Sequence, residues 1–393
     1  MCAGPWTRRP PRVSGSRVTC KAVAAEHLAR NWDLVRSVST RLHADPEPAW
    51  QEFRAHRMLT TLLADRGFNV DRRAGGLDTA FHARGGSGSL HIAFIAEYDA
   101  LPGLGHACGH NLIAASAVGA ALMVRAADTA QAITVHVIGT PAEEGGGGKI
   151  AMLDAGEFDG LDAALMMHPG PVDAPRAEPL AVAHWRVSYR GVSAHAGAYP
   201  HLGVNAADAF TVAQVAIGLL RQQLPPTTRV HGVVTDAGSA PNAIPDAATG
   251  RWYVRARTLA DLAGIEHRIR NCFEAGALGT GCELDIELES PPYAEFRTDD
   301  DILDMFIANA ADLGRDMNAE PAEGAAAMRT ASTDMGNVSQ VVPAIHPYLG
   351  IGSLPAVNHQ RAFADAAVGP AAEAALRDGA TALAWTALDL ADR

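Results

Sequence analysis

At 393 residues the chain is longer than one core commonly supports, so two domains are expected. Hydrophobic residues make up 48% and charged residues 19%, the balance of a soluble globular enzyme, while the net charge of −12 excludes nucleic acid as the main partner, since phosphate binding needs a basic field. No apolar run reaches the roughly 18 residues of a membrane span, so no membrane partner is expected either.

Residues 1–22 are basic and proline-rich without the apolar centre of a secretion signal, and are expected to form a disordered leader. Cys2, Cys20, Cys108, Cys272 and Cys282 form no compact framework. An odd, scattered set points to a reducing, cytoplasmic compartment. Leu28, Trp32, Val35, Val38 and Leu42 recur near a 3.6-residue period and predict a helix over 23–43, broken by Pro46 and Pro48. A second helix is expected over 51–66, with Gly67 as its C-cap. Strands follow at 69–72, 79–84 and 90–96, and the glycines at 85, 86 and 88 suggest a hairpin turn between the last two.

The stretch from Phe94 to Ser116, FIAEYDALPGLGHACGHNLIAAS, is the densest in chemistry. An apolar strand runs into a Pro/Gly-rich loop and then into a small-residue helix over 112–122. Asp99, His106, Cys108 and His110 lie on that loop, where open α/β sheets collect ligands at strand ends. A strand over 133–139 leads to TPAEEGGGGK, then to a helix over 150–155. A strand over 163–167 stops at His168. This alternation predicts an α/β domain with a mainly parallel sheet and helices on both faces. The texture changes near residue 180: strands over 182–190, 229–236, 249–257 and 283–289 alternate with helices over 204–224 and 259–277. The order βαββαβ predicts an inserted α+β, ferredoxin-like domain. The organisation expected is therefore a catalytic domain of 23–180 with 294–393, and a lid and dimerisation domain of 181–293.

Three constellations carry the chemistry. They are Asp99 with Cys108 and His110, Glu143 with Glu144, and His168. Imidazole, thiolate and carboxylate together suit zinc or manganese-like ions. Of two adjacent glutamates, one can ligate while the other moves the proton of an activated water. Two readings are weaker. Cys108 and His110 as nucleophile and base stand awkwardly at i, i+2, and the glycine run before Lys149 lacks phosphate-loop spacing. His106 is read as loop structure.

The set YDALPG, HACGH, PAEEGGGG, MMHPG, GVSAHAG, PNAIPD and a late Asn-His resembles the aminoacylase and carboxypeptidase-G family of dinuclear metallopeptidases. Within that family it is similar to the amidohydrolase branch, and CGHNLIAAS with STDMGNVS to its dipeptidase-like sub-branch. The resemblance implies two divalent ions, zinc or manganese, with cobalt or nickel compatible. It implies Cys108, His110, Glu144, His168 and His359 as ligands, the thiolate as a candidate bridge. Glu143 would be general base and acid, and Asp99 would orient a ligand. His195, reaching across a homodimer, would stabilise the oxyanion. Asn242 would assist it, and Arg255 would bind the substrate carboxylate. Asn111 departs from the branch, which often carries Asp there. The activity implied is cleavage of the amide bond of N-acyl amino acids or related small conjugates, releasing an amino acid. A dipeptidase and an inactive metal- or ligand-binding homologue are the alternatives.

Overall fold

The computed structural model describes residues 15–319 and 330–393. Two compact units divide them: Pro179–Glu295 forms one, and the segments before and after it form the other. In chain order the first unit contributes α1 (Gly15–Ala44), α2 (Phe53–Asp65), β1 (Asn69–Asp71), β2 (Phe81–Gly86), β3 (Leu90–Glu97) and α3 (His110–Ala127). It continues through β4 (Ile133–Thr140), α4 (Gly148–Asp154), β5 (Ala163–Leu165) and β6 (His168–Gly170). The second unit holds β7 (Ala181–Arg190), α5 (Ala206–Leu220), β8 (Arg229–Asp236), β9 (Ala247–Ala256), α6 (Leu259–Thr280) and β10 (Glu283–Tyr293). The first unit then resumes with α7 (Asp300–Asp312), α8 (Met335–Ser339), β11 (Ala344–Ile345), β12 (Tyr348–Gly350), α9 (Arg361–Ala366) and α10 (Pro370–Ala391).

The main sheet of the first unit runs β1-β2-β4-β3-β5-β11. Its centre is parallel, through β4–β3, β3–β5 and β5–β11, and its β1–β2–β4 flank is antiparallel. The hairpin expected across Gly85–Gly88 is absent: β4 lies between β2 and β3 and pairs with both. The glycines instead carry the chain past the start of β4, where a Cβ on Gly88 would meet the Ala132 backbone. β3 is buried on both faces, as a parallel strand covered by helices must be. Ile92, Phe94 and Ala96 enter the core shared with α1, α3 and α10, while Ala93 and Ile95 pack with Met152 of α4 and Met335 and Val338 of α8.

α3 is long and apolar enough to cross a membrane, but it is the central core helix. Gly119, facing Val35 and Ala380, lets its neighbours approach closely. Buried Asn111 explains the departure noted above, since its amide donates to Ser39 Oγ (2.8 Å) and to the Ala367 carbonyl (3.0 Å). Of the expected leader, residues 1–14 lie outside the described residues, and 15–22 are helical as part of α1. Lys21 pairs there with Asp389 at 2.8 Å, tying α1 to α10. The strand expected over 163–167 ends at Leu165, and His168 opens a separate parallel pair with β12.

In the second unit the sheet runs β10-β7-β9-β8, wholly antiparallel. Trp185, Val187, Tyr189 and Trp252 face Phe210 of α5 and Phe273 of α6. α5 starts later than the apolar period suggests because the Asn205 side chain caps it, accepting from Ala207 N at 2.9 Å.

Candidate metal centre

The ends of β3, β4 and β5 run parallel, so the loops that follow them open on one edge of the sheet. Two backbone features fix the donors. Gly109 caps α3 at φ +80, and a Cβ there would sit 2.7 Å from Pro169 Cγ. Only glycine lets the Cys108–His110 turn pack against the residue after His168. His359 is itself at φ +68, held by its amide to the Ala107 carbonyl at 2.8 Å.

Asp99, Cys108, His110, Glu143, Glu144, His168 and His359 come together in this unit. All of them but Asp99, joined by Glu97, supply donor atoms to three overlapping sets: Cys108/His110/His168, Cys108/Glu144/His359 and Glu97/His110/Glu143. Cys108 Sγ lies 3.6 Å from His168 Nε2, and Glu144 Oε2 lies 3.4 Å from His359 Nε2. A tetrahedral ion with nitrogen, oxygen or sulfur donors at about 2.0–2.3 Å holds them roughly 3.4–3.6 Å apart, so both pairs fit one. Asp99 grips two loops: Oδ1 is 3.0 Å from His110 Nδ1, and Oδ2 accepts from Glu144 N at 3.0 Å. The Pro169 carbonyl, 2.8 Å from His168 Nδ1, fixes that ring likewise. Both contacts leave the Nε2 lone pairs for a cation, the usual support of metal-bound imidazole. His110 Nε2 and Glu144 Oε1 are buried without a hydrogen-bond partner. A cation is the simplest group to satisfy them.

The electrostatics agree. Burial works to raise the Cys108 thiol, but the His168 charge and the neighbouring imidazoles of His110 and His359 hold it well below its ordinary value, as a thiolate. Hydrogen bonds to Cys108 and Glu144 lift His359 to about 11. Burial, then Glu97 and Glu144, push Glu143 well above the carboxylate range. Burial and the Cys108 charge raise Glu144 to about 7. A bound cation would favour the ionised carboxylates and the thiolate gathered here.

Sequence reasoning missed four groups beside these. Glu97 ends β3 wholly buried; Lys149 Nζ pairs with its Oε1 at 2.7 Å and with Asp334 Oδ1 at 2.6 Å. Burial opposes ionisation of Glu97, but Lys149, His110 and His168 prevail and hold it at about 2. Lys149 is in the first turn of α4, which starts two residues before the helix expected over 150–155. The one available signal was scarcity: Lys occurs only at Lys21 and Lys149. Asn358 was missed as well; its amide donates to the Pro169 carbonyl at 3.3 Å and lies 3.8 Å from Cys108 Sγ.

His195, Asn242 and Arg255 belong to the second unit. His195 is bridged to Ala243, and Ala196 N donates to the Asn242 carbonyl at 2.9 Å, so these two loops run together. His195 Nδ1 accepts from Gly197 N and Ala198 N, each at 3.2 Å, which places the ring proton on Nε2 as a donor. Arg255 lies on β9, over the Tyr253 ring at 5.9 Å, with Nε 3.3 Å from His231 Nε2. His106 is buried against His43 and belongs to none of the donor sets. Elsewhere Glu157, His82, His136 and His91 form a chain across three strands, with contacts of 2.8, 2.8 and 3.0 Å.

The sequence pattern of Peptidase family M20/M25/M40 matches residues 93–381. The Xaa-Arg dipeptidase of Mus musculus is 40% identical over 98% of this chain and 93% of its own length. That of Homo sapiens is 37% identical over 94% and 88%. Among solved structures, a dinuclear metal-binding peptidase of the M20 family from Bacillus subtilis superposes with a TM-score of 0.67, covering 91% of this chain and 98% of its own, at 22% identity. At that identity the likeness is one of fold.

Proposed function

The chain belongs to peptidase family M20/M25/M40, and we propose that its Cys108, His110, Glu144, His168 and His359 hold two divalent ions that serve cleavage of a small amide. Membership makes it a metal-dependent amidohydrolase or peptidase. The observation that carries the assignment is the pair of donor spacings, 3.6 Å at Cys108–His168 and 3.4 Å at Glu144–His359, either side of one shared thiolate. The mixed donors suit zinc or manganese, with cobalt and nickel compatible.

Bound ions would activate water and polarise the amide carbonyl. Glu143, made more basic by burial and by Glu97 and Glu144, would as its carboxylate, once bound cations offset that charge, take a proton from the attacking water and return it to the leaving nitrogen. Asp99 keeps the His110 proton on Nδ1. His195 Nε2–H, with Asn242, donates to the carbonyl oxygen as it gains charge. Arg255 pairs its guanidinium with the substrate carboxylate.

The substrates in this reading are N-acyl amino acids or related small conjugates. A dipeptide is the second reading, and the near full-length relatives named Xaa-Arg dipeptidase favour it. A panel of hippurate, p-aminobenzoyl-glutamate and dipeptides with C-terminal Arg, assayed on metal-loaded and chelator-stripped protein, separates the two. Turnover of none of them by the loaded protein refutes both.

A homodimer through the second unit follows the same proposal. Val212, Val215 and Leu219 stand exposed along α5, and Val233 along the edge strand β8. An edge strand and an apolar helix stripe, both exposed, suit pairing with a second copy. Light scattering on the protein and on Leu219→Glu tests it: a monomeric wild type refutes the dimer. A cytoplasmic location is supported by Cys20, Cys108, Cys272 and Cys282, which are free thiols.

A further inference from the structure

His110 Nε2 belongs to two competing donor sets. One joins it to Cys108 and His168, the other to Glu97 and Glu143. A ring nitrogen has a single lone pair and binds a single ion, so occupation of one set removes His110 from the other. Glu97 Oε2 lies 3.5 Å from His110 Nε2, within the separation that two donors of one tetrahedral ion adopt, about 3.4–3.6 Å. By spacing alone, the Glu97 set is as good a trap as the Cys108 set.

The difference between them is Lys149. Its ammonium is wholly buried, 2.7 Å from Glu97 Oε1, and its charge also acts on Glu143. It therefore sits against one member of the Glu97 set and acts through its charge on a second. Asp334 locks it from both ends, accepting from Nζ at 2.6 Å through Oδ1 and from the backbone N at 2.9 Å through Oδ2. A flexible lysine is so converted into a fixed internal cation.

We propose that Lys149, clasped by Asp334, is a positioning residue that keeps Glu97 out of the metal centre and reserves His110 for the ion it shares with Cys108 and His168. The ammonium neutralises Glu97 and repels a divalent ion from the space between Glu97, His110 and Glu143. Glu97 thus remains a fixed anion beside the cage. The proposal rests on the two-ion reading above.

Cobalt(II) titration of the metal-stripped full-length protein tests it, followed by the near-ultraviolet charge-transfer band of a thiolate–cobalt bond. Wild type is expected to take up two ions and show the band; failure there refutes the two-ion reading itself. In Lys149→Met the band is expected to form with about 10–100-fold weaker apparent affinity, as His110 is drawn to Glu97. Adding Glu97→Gln to that variant is expected to restore it. Wild-type affinity and band in Lys149→Met overturn the proposal, and so does failure of Glu97→Gln to restore them. Where Lys149→Met does not fold, Glu97→Gln alone decides, since the Lys149–Asp334 pair survives in it. Retention of both ions supports the proposal. Loss of one makes Glu97 a ligand and overturns it.

Discussion

Asp99→Asn is the most informative single perturbation, because the carboxylate is buried and both of its oxygens are committed. Oδ1 faces His110 Nδ1 at 3.0 Å and Oδ2 accepts from Glu144 N at 3.0 Å. An asparagine of the same shape has one acceptor and one donor end. With its oxygen toward His110, its NH2 group faces the Glu144 N–H, and that donor loses its partner. With the amide reversed, the His110 proton is forced onto Nε2, the atom that must stay open. Losing a charge-assisted hydrogen bond costs about 1.5–3 kcal/mol, and a stranded buried donor about 1–3 kcal/mol more. Part is recovered, because Asp99 helps burial raise Glu52 to about 7 and that repulsion is relieved. The stripped protein should therefore lose about 2–5 kcal/mol of stability in urea. Metal affinity, read by competition with a chromogenic chelator, should fall about 10–100-fold. Wild-type metal affinity in Asp99→Asn would refute the placement of Asp99 behind both donor loops.

Three further outcomes are expected. Gly109→Ala forces a Cβ to 2.7 Å from the Pro169 ring at φ +80; the left-handed backbone alone costs about 1–2 kcal/mol, and metal affinity should drop with stability, which a chelator competition and a thermal melt would detect. Mixing His195→Ala with Glu143→Gln, each nearly inactive, should restore about one quarter of wild-type turnover if His195 serves the partner's site, because half of randomly formed dimers carry one intact site of two; no recovery places His195 in its own subunit's site. Acid should destabilise the fold below pH 6.5. Burial, then His82, Arg84 and His91, lower His136 to about 3, and burial with Arg255, Arg251 and His231 lowers His184 to about 4. The unfolded chain binds these protons first as pH falls, so each site removes up to about 1.4 kcal/mol per pH unit between pH 6.5 and its folded value. His136→Asn should flatten that slope, measured by urea midpoints at successive pH values.

Much of this was legible from local sequence. The βαββαβ order of the second unit shows in apolar periods punctuated by Asn205, Pro225 and Gly281, and its strands fall where the alternation puts them. Asp99, Cys108, His110, Glu143, Glu144 and His168 were visible because each comes soon after an apolar strand, among small residues. What was hidden depends on pairing across the chain. The insertion of β4 between β2 and β3 cannot be read from the glycines at 85–88, since a turn and a crossover look alike in sequence. Lys149 meets Asp334 across 185 residues, and nothing local marks either as a partner of Glu97. The chain of His82, His136 and His91 exists only once three strands are set in register.

The central claim is a cage for two cations built on one shared thiolate. Anomalous diffraction at the metal edge from crystals of the metal-loaded protein measures it directly. The account predicts two peaks about 3.5–4 Å apart, one beside His110 and His168 and the other beside Glu144 and His359, with Cys108 Sγ between them. A single peak, or two peaks neither of which touches Cys108, would contradict it.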